Sequence, residues 1–267
     1  MTTRSLSGKA DPIVRKIGKT DVLEALSLGL RDFQRAPVYG LTLGAVCALT
    51  GLAILLLLMW WGMPYFAYPL GAGFAIVAPF IGTLLYEVSR RLEQALPLSW
   101  TGIWQTVKSR SEVRWMGFMT LFVLIVWMYQ VRLLLAVILG FTAMSASMTD
   151  FMRIVLTTSE GLTFLAIGNV VGAILGTILF SLSVVSFPLV LDRDVDFVTA
   201  MITSVRAVSA NAWPMALWAA IIVGVLLVSS LPFFLGLVVT LPVLGHASWH
   251  LYRRVVAAEE PTAGRAA

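Results

Sequence analysis

Residues 213–251 run for 39 positions without an Asp, Glu, Lys or Arg. As one helix they would measure about 58 Å at 1.5 Å per residue, nearly twice the roughly 30 Å of a bilayer's hydrocarbon core. The stretch is too apolar for a water-facing surface and too long for one crossing, so it must fold back. Ser229-Ser230-Leu231-Pro232 is the break its composition offers, giving spans 213–231 and 233–251. Further apolar runs read the same way. The first covers 38–61 and ends on Trp60-Trp61 before the turn Gly62-Met63-Pro64; the others are 65–86, 115–140 and 162–191. A helix satisfies its own backbone hydrogen bonds, which hydrocarbon cannot do. Only 12% of the residues are charged, against about a quarter in soluble domains. The expected class is an all-α membrane protein of about six transmembrane helices.

The placement of charge decides what the net +5 means. Arg4, Lys9, Arg15, Lys16, Lys19, Arg31 and Arg35 precede the first span, and Arg90, Arg91, Lys108, Arg110 and Arg114 lie between the second and third. Segment 192–212 carries two basic residues and the C-terminal tail three, whereas turns 62–64 and 229–232 carry none and loop 142–161 carries only Arg153. This asymmetry puts both termini of a multi-pass membrane protein in the cytoplasm, with anionic headgroups rather than nucleic acid as the partner of the basic clusters. Cys47, the one cysteine, lies inside an apolar run and forms no intramolecular disulfide. The mostly polar start of the chain does not read as a cleavable signal.

Internal similarity divides the chain further. Val22, Leu26, Leu30 and Phe33 after Asp21 match Phe197, Met201, Val205 and Val208 after Asp196, each an apolar stripe of a helix, with Arg31 and Arg206 at the same offset. Pro79-Phe80-Ile81-Gly82 with Tyr86 and Arg90-Arg91 echoes Pro242-Val243-Leu244-Gly245 with Trp249 and Arg253-Arg254. A middle unit begins at Ser99, a helix cap followed by Trp100, Ile103, Trp104 and Val107. The expectation is three parallel repeats (20–94, 97–193, 194–257), each one cytoplasmic amphipathic helix plus a transmembrane hairpin. A flexible basic tail (1–19), a periplasmic cap (133–161) and a flexible end (258–267) complete the organisation.

Several stretches resemble the DUF2189 family of uncharacterised bacterial integral membrane proteins. These are Ser186-Phe187-Pro188 and Leu191 through Asp196, Ala200-Met201, Asn211, and Pro214 through Trp218. Leu244-Gly245-His246-Ala247-Ser248-Trp249-His250-Leu251-Tyr252-Arg253-Arg254 is similar as well, as are Asp21-Val22, Ala25-Leu26, Gly29 and Asp32-Phe33 through Pro37. The resemblance implies a bacterial inner-membrane protein and no reaction. Some members are tagged as cytochrome c oxidase subunits, but a haem–copper catalytic subunit needs about six histidine ligands and this chain has 2 histidines.

The candidate chemistry is sparse. His246 and His250 stand at i, i+4 on one helix face, a spacing that can chelate a metal, and Asp192, Asp194 and Asp196 alternate at a span end that a closed bundle could bring near them. The competing reading makes the aspartates helix caps and leaves the histidines hydrogen-bonded at the headgroup interface. Gln130 and Arg132 lie late in the third span, where Arg132 can snorkel outward or pair with Asp150 or Glu160. Gly168, Gly172 and Gly176 form a small-residue ridge beside Asn169, suited to internal packing or to a homodimer seam. No nucleotide loop, nucleophile elbow or catalytic Cys–His set is present, so neither an enzyme nor a cofactor is expected. The leading expectation is a non-enzymatic accessory, assembly or structural component of a membrane complex. The alternatives are a small-solute transporter or channel and, third, a metal-dependent membrane enzyme.

Overall fold

The structure, a computed structural model, describes residues 12–62, 67–140 and 147–258. All their regular elements are helical: α1 (Lys19–Arg35), α2 (Pro37–Trp60), α3 (Ala67–Glu93), α4 (Trp100–Ser109), α5 (Ser111–Leu134), α6 (Met148–Thr157), α7 (Ser159–Ser183), α8 (Ser186–Asp192), α9 (Phe197–Ala210), α10 (Ala212–Ser230) and α11 (Leu237–Val255). Among the described residues, Pro37–Trp60, Ser111–Leu139, Ser159–Asp192 and Ala212–Ser230 are long and apolar enough to cross a membrane. The expected spans 65–86 and 233–251 correspond to α3 and α11, which are not among these four; Met63, Pro64 and Tyr65 lie outside the described residues.

The apolar helices turn much of their surface outward. Leu49, Phe122, Val170 and Leu227, on four different helices, are each 60% exposed or more. Apolar patches this continuous need lipid or protein around them. The packed core gathers at one end of the bundle, where Phe187, Leu189, Leu191, Met215, Trp218, Trp249 and Tyr252 interlock. A second cluster at the other end joins Trp127, Val131 and Leu135 to Phe151, Val155 and Phe164. It holds α6 against α7 where the 133–161 cap was expected, though residues 141–146 lie outside the described set.

Two prolines shape the bundle by withholding an N–H. Pro188 cannot continue the helix of α7, so the chain breaks before α8, and the Val185 N–H donates to Ser204 Oγ of α9 at 3.1 Å. Pro242 lies inside α11 and cannot donate to the Val238 carbonyl. The backbone of α2 closes on that carbonyl at Gly44, where a side chain would collide with it. The turn between α10 and α11 runs to Gly236, so α11 starts four residues later than the expected span; Phe233 and Phe234, at φ 50° and 65°, hold backbone no helix uses.

The amphipathic helices bury only part of the expected stripes, and small residues take the rest of the inward face. On α1 the inward residues are Val22, Ala25, Gly29 and Asp32, while Leu30 faces outward. On α9 they are Ala200, Thr203, Ser204 and Ala207, with Val205 outward. Small residues face inward because the helices meet at backbone distance; an added Cβ at Gly29 would lie 2.5 Å from the Ala247 backbone nitrogen of α11.

Residues 12–18 are tied down rather than forming part of a free tail. Val14 bridges Val256, the Arg15 N–H donates to the Val255 carbonyl at 2.7 Å, and the Ala257 N–H donates to the Ile13 carbonyl at 2.9 Å. Asn211 locks this strap to α9 and α10: its Oδ1 accepts from the Ile17 N–H at 2.9 Å and its Nδ2 donates to the Arg15 carbonyl at 3.0 Å. Both contacts are lost in Asn211→Ala, which we expect to cost about 1–3 kcal/mol, the net worth of two part-buried hydrogen bonds. Limited proteolysis should then cut between residues 12 and 18, and cleavage no faster than in wild type would refute the strap. Residues 1–11 and 259–267 lie outside the described set.

Candidate functional site

The polar chemistry of the bundle converges where α1, the end of α3, α8 and the end of α11 meet. His250 Nε2 is 2.7 Å from Asp32 Oδ2, and Ser89 Oγ is 2.8 Å from His246 Nδ1. Ser89 and His246 are fully buried and Asp32 nearly so. The Asp32 carboxylate accepts from His250 Nε2. Among the described residues His246 Nε2 has no hydrogen-bond partner. Burial pushes the Asp32 carboxyl upward, but the hydrogen bond and charge of His250, with Ser89 and His246, outweigh it and hold Asp32 below its usual range.

Ion pairs surround this relay. Glu87, fully buried, accepts from Arg90 Nε at 2.7 Å and Nη2 at 2.9 Å, and from Arg91 Nε at 2.7 Å. Arg91 reaches on to the Pro97 carbonyl at 2.8 Å and Thr106 at 3.1 Å, fixing the loop into α4. Asp192 accepts from the Tyr252 hydroxyl at 2.7 Å and from Arg253 Nη1 at 3.3 Å. Glu93 accepts from Trp249 Nε1 and Arg253 Nε, both at 3.0 Å. Arg254 pairs with Asp21 at 2.9 Å and Glu24 at 2.7 Å, and Arg193 donates to the Ala257 carbonyl. Helix α11 is thus fastened to α1, α3 and α8 by separate charge-assisted bonds.

These partnerships draw the five candidate metal ligands apart. His250 engages Asp32, His246 engages Ser89, and Asp192 engages Tyr252 and Arg253. Asp196 caps α9, its Oδ1 accepting the Thr199 N–H at 2.9 Å; the Thr199 hydroxyl and N–H hold its carboxyl below the usual range. Asp194 is exposed and interacts elsewhere. Among the described residues no three His, Cys, Asp or Glu side chains gather as metal ligands. His246 is fully buried and His250 only slightly exposed, each hydrogen-bonded to protein.

The remaining candidates are scattered. Arg132 is exposed at the end of α5 and Gln130 is half-buried. Asp150, an expected partner of Arg132, pairs with Arg153 at 2.7 Å, and Glu160 accepts from Ser159 at 2.9 Å. Asn169 is exposed and donates to the Leu165 carbonyl of its own helix at 2.7 Å. Of the glycine ridge only Gly172 is closely packed, with an added Cβ 3.1 Å from Trp127; at Gly168 and Gly176 a Cβ would meet nothing within 4 Å. Sequence reasoning missed Asp32, Ser89, Glu87 and Glu93. The available signal was that Asp32 continues the small-residue face of Ala25 and Gly29, and that Glu87 and Glu93 flank the Arg90-Arg91 pair at helical spacing.

An all-helical bundle with outward apolar helices and its charges closed at one end defines an integral membrane protein. Residues 67–192 match the model of the DUF2189 family, described as predicted integral membrane protein, so the family resemblance holds over that segment. The similar stretches quoted beyond residue 192 lie outside the match. No curated protein and no solved structure matches the chain.

Proposed function

We propose that the protein is a non-enzymatic accessory, assembly or structural component of a complex in the bacterial inner membrane, and that its cytoplasmic face docks the partner. The observation that carries this reading is the outward stripe Val198, Ile202 and Val205 on α9, each more than a third exposed although the opposite face of the same helix is fully packed. The buried relay supports it from the other side, because fully buried Ser89 and His246 offer no access to a substrate. Against conduction stands the character of the groove between α2, α3 and α5, whose walls at Leu43, Val46, Cys47, Ile81 and Leu84 are apolar. A photo-crosslinking residue at Ile202 should capture one discrete membrane protein in native membranes. Capture of lipid alone would defeat the docking reading.

Six crossings in three parallel units, with cytoplasmic termini, form part of the same proposal. The bonds from Asn211 to Arg15 and from Trp249 to Glu93 bring the start of α10 and the ends of α3 and α11 to the end of the bundle where residues 13–15 meet 255–257. That supports an even number of crossings and three antiparallel helix pairs. The repeat gains from burial: at a constant offset of 175 positions, Ala25, Gly29 and Asp32 correspond to Ala200, Ser204 and Ala207, and all six are buried. In a Cys47→Ser background, cysteine at Ala258 should react with an impermeant maleimide only after the cytoplasmic side is opened, and cysteine at Trp61 should react from outside. The reverse pattern would invert the orientation.

A further inference from the structure

We infer that the groove between α2, α3, α4 and α5 is a binding site for one anionic phospholipid, with an acyl chain along its apolar wall and the phosphate at Lys108 and Arg114. The groove encloses about 450 Å³. Its floor is Leu43, Cys47, Ile81, Leu84, Val107 and Val113. Leu43 to Thr50 spans eight residues of α2, about 10 Å of helix. Val46 and Trp104 at its rim are more than half exposed, so it opens sideways, toward whatever surrounds the apolar helices.

Charge complementarity chooses the occupant. Lys108 in the last turn of α4 and Arg114 in the first turn of α5 both line the groove and are both exposed. Neither has an ion-pair partner among the described residues, whereas neighbouring Arg90 and Arg91 are both bound to Glu87. Two cations without ion-pair partners among the described residues, on the wall of an apolar slot, match a phosphate joined to hydrocarbon. Trp104 beside them suits the headgroup level, where amphipathic rings concentrate. A zwitterionic lipid would fill the slot equally but would bring a choline cation toward the same charges. This site goes beyond the docking reading and rests on membrane placement alone.

Native mass spectrometry tests the inference on the full chain, purified in mild detergent and titrated separately with phosphatidylglycerol, phosphatidylcholine and oleate. Wild type should retain one phosphatidylglycerol in preference to phosphatidylcholine. Each basic residue near the headgroup contributes about fivefold, so Lys108→Glu with Arg114→Glu should erase a preference of about 25-fold. Arg35→Glu, an exposed cation away from the groove, should keep that preference. Val46→Trp, which fills the slot from an outward position, should release both phospholipids while the thermal midpoint stays that of wild type. The inference falls if the double variant retains phosphatidylglycerol as wild type does, if Arg35→Glu loses it equally, if oleate displaces it, or if Val46→Trp leaves retention unchanged.

Discussion

Replacing Asp32 by alanine should lower the stability of the detergent-solubilised protein by about 3–5 kcal/mol, the range for removing one partner of a buried charged pair. The loss exceeds that of an exposed hydrogen bond because His250 Nε2 loses its acceptor at 2.7 Å where its side chain is only 14% exposed. Ser89 and His246 beside it are fully buried, so water does not readily take the place of the carboxylate. Asp32→Asn keeps the shape and one acceptor oxygen, so its cost should be about 1–3 kcal/mol, that of a buried polar group with a partner lost.

The acid dependence follows from the direction of the Asp32 shift. Its folded-state carboxyl lies below the unfolded value of about 3.9, so its stabilising contribution is fully present above that pH. The contribution fades as pH falls through the lowered folded-state value. The stability gap between wild type and Asp32→Asn should therefore be constant near neutrality and narrow below about pH 4. Tryptophan-fluorescence melts across pH would show it. A change within about 0.5 kcal/mol for Asp32→Ala would mean that the relay holds nothing together.

How legible all this was in the sequence depended on range. Helix positions were readable because they rest on contiguous composition: the expected span 38–61 corresponds to Pro37–Trp60, and 213–231 to Ala212–Ser230. Local caps were readable for the same reason; Ser99 Oγ accepts the Gly102 N–H at 3.2 Å and Asp196 caps α9. The inward faces of α1 and α9 were only partly readable: Val22 of the expected stripe is buried, but Leu30 and Val205 face out, because close helix packing selects small residues such as Ala25, Gly29, Ala200 and Ser204. The polar partners were illegible for a different reason. His250 and Asp32 are separated by 218 positions, and no local pattern links them.

Glycine-to-alanine substitutions should have opposite signs at two positions, and the contrast isolates close helix crossing from helix propensity. In a helix interior, alanine is favoured over glycine by about 0.8–1.0 kcal/mol. At Gly176 a new Cβ would meet nothing within 4 Å, so Gly176→Ala should be neutral or stabilising by up to that amount. At Gly29 the same Cβ would lie 2.5 Å from the Ala247 backbone nitrogen, 2.7 Å from its Cβ and 2.8 Å from its Cα. Backbone cannot rotate away as a flexible side chain could, so α1 must lift from α11. Lifting α1 also stretches the Asp32–His250 bond and the Arg254 pairs with Asp21 and Glu24, which span the same interface. Overpacking alone costs about 1–3 kcal/mol; with the relay strained, Gly29→Ala should reach the upper end of that range, and Gly29→Leu should abolish recovery of folded protein. Adding Ala247→Gly to Gly29→Ala removes the Cβ contact and leaves the backbone contact, so thermal melts should show only partial rescue. Full rescue would place the clash in the side chain, and no loss at all in Gly29→Ala would show that α1 and α11 do not cross at backbone distance.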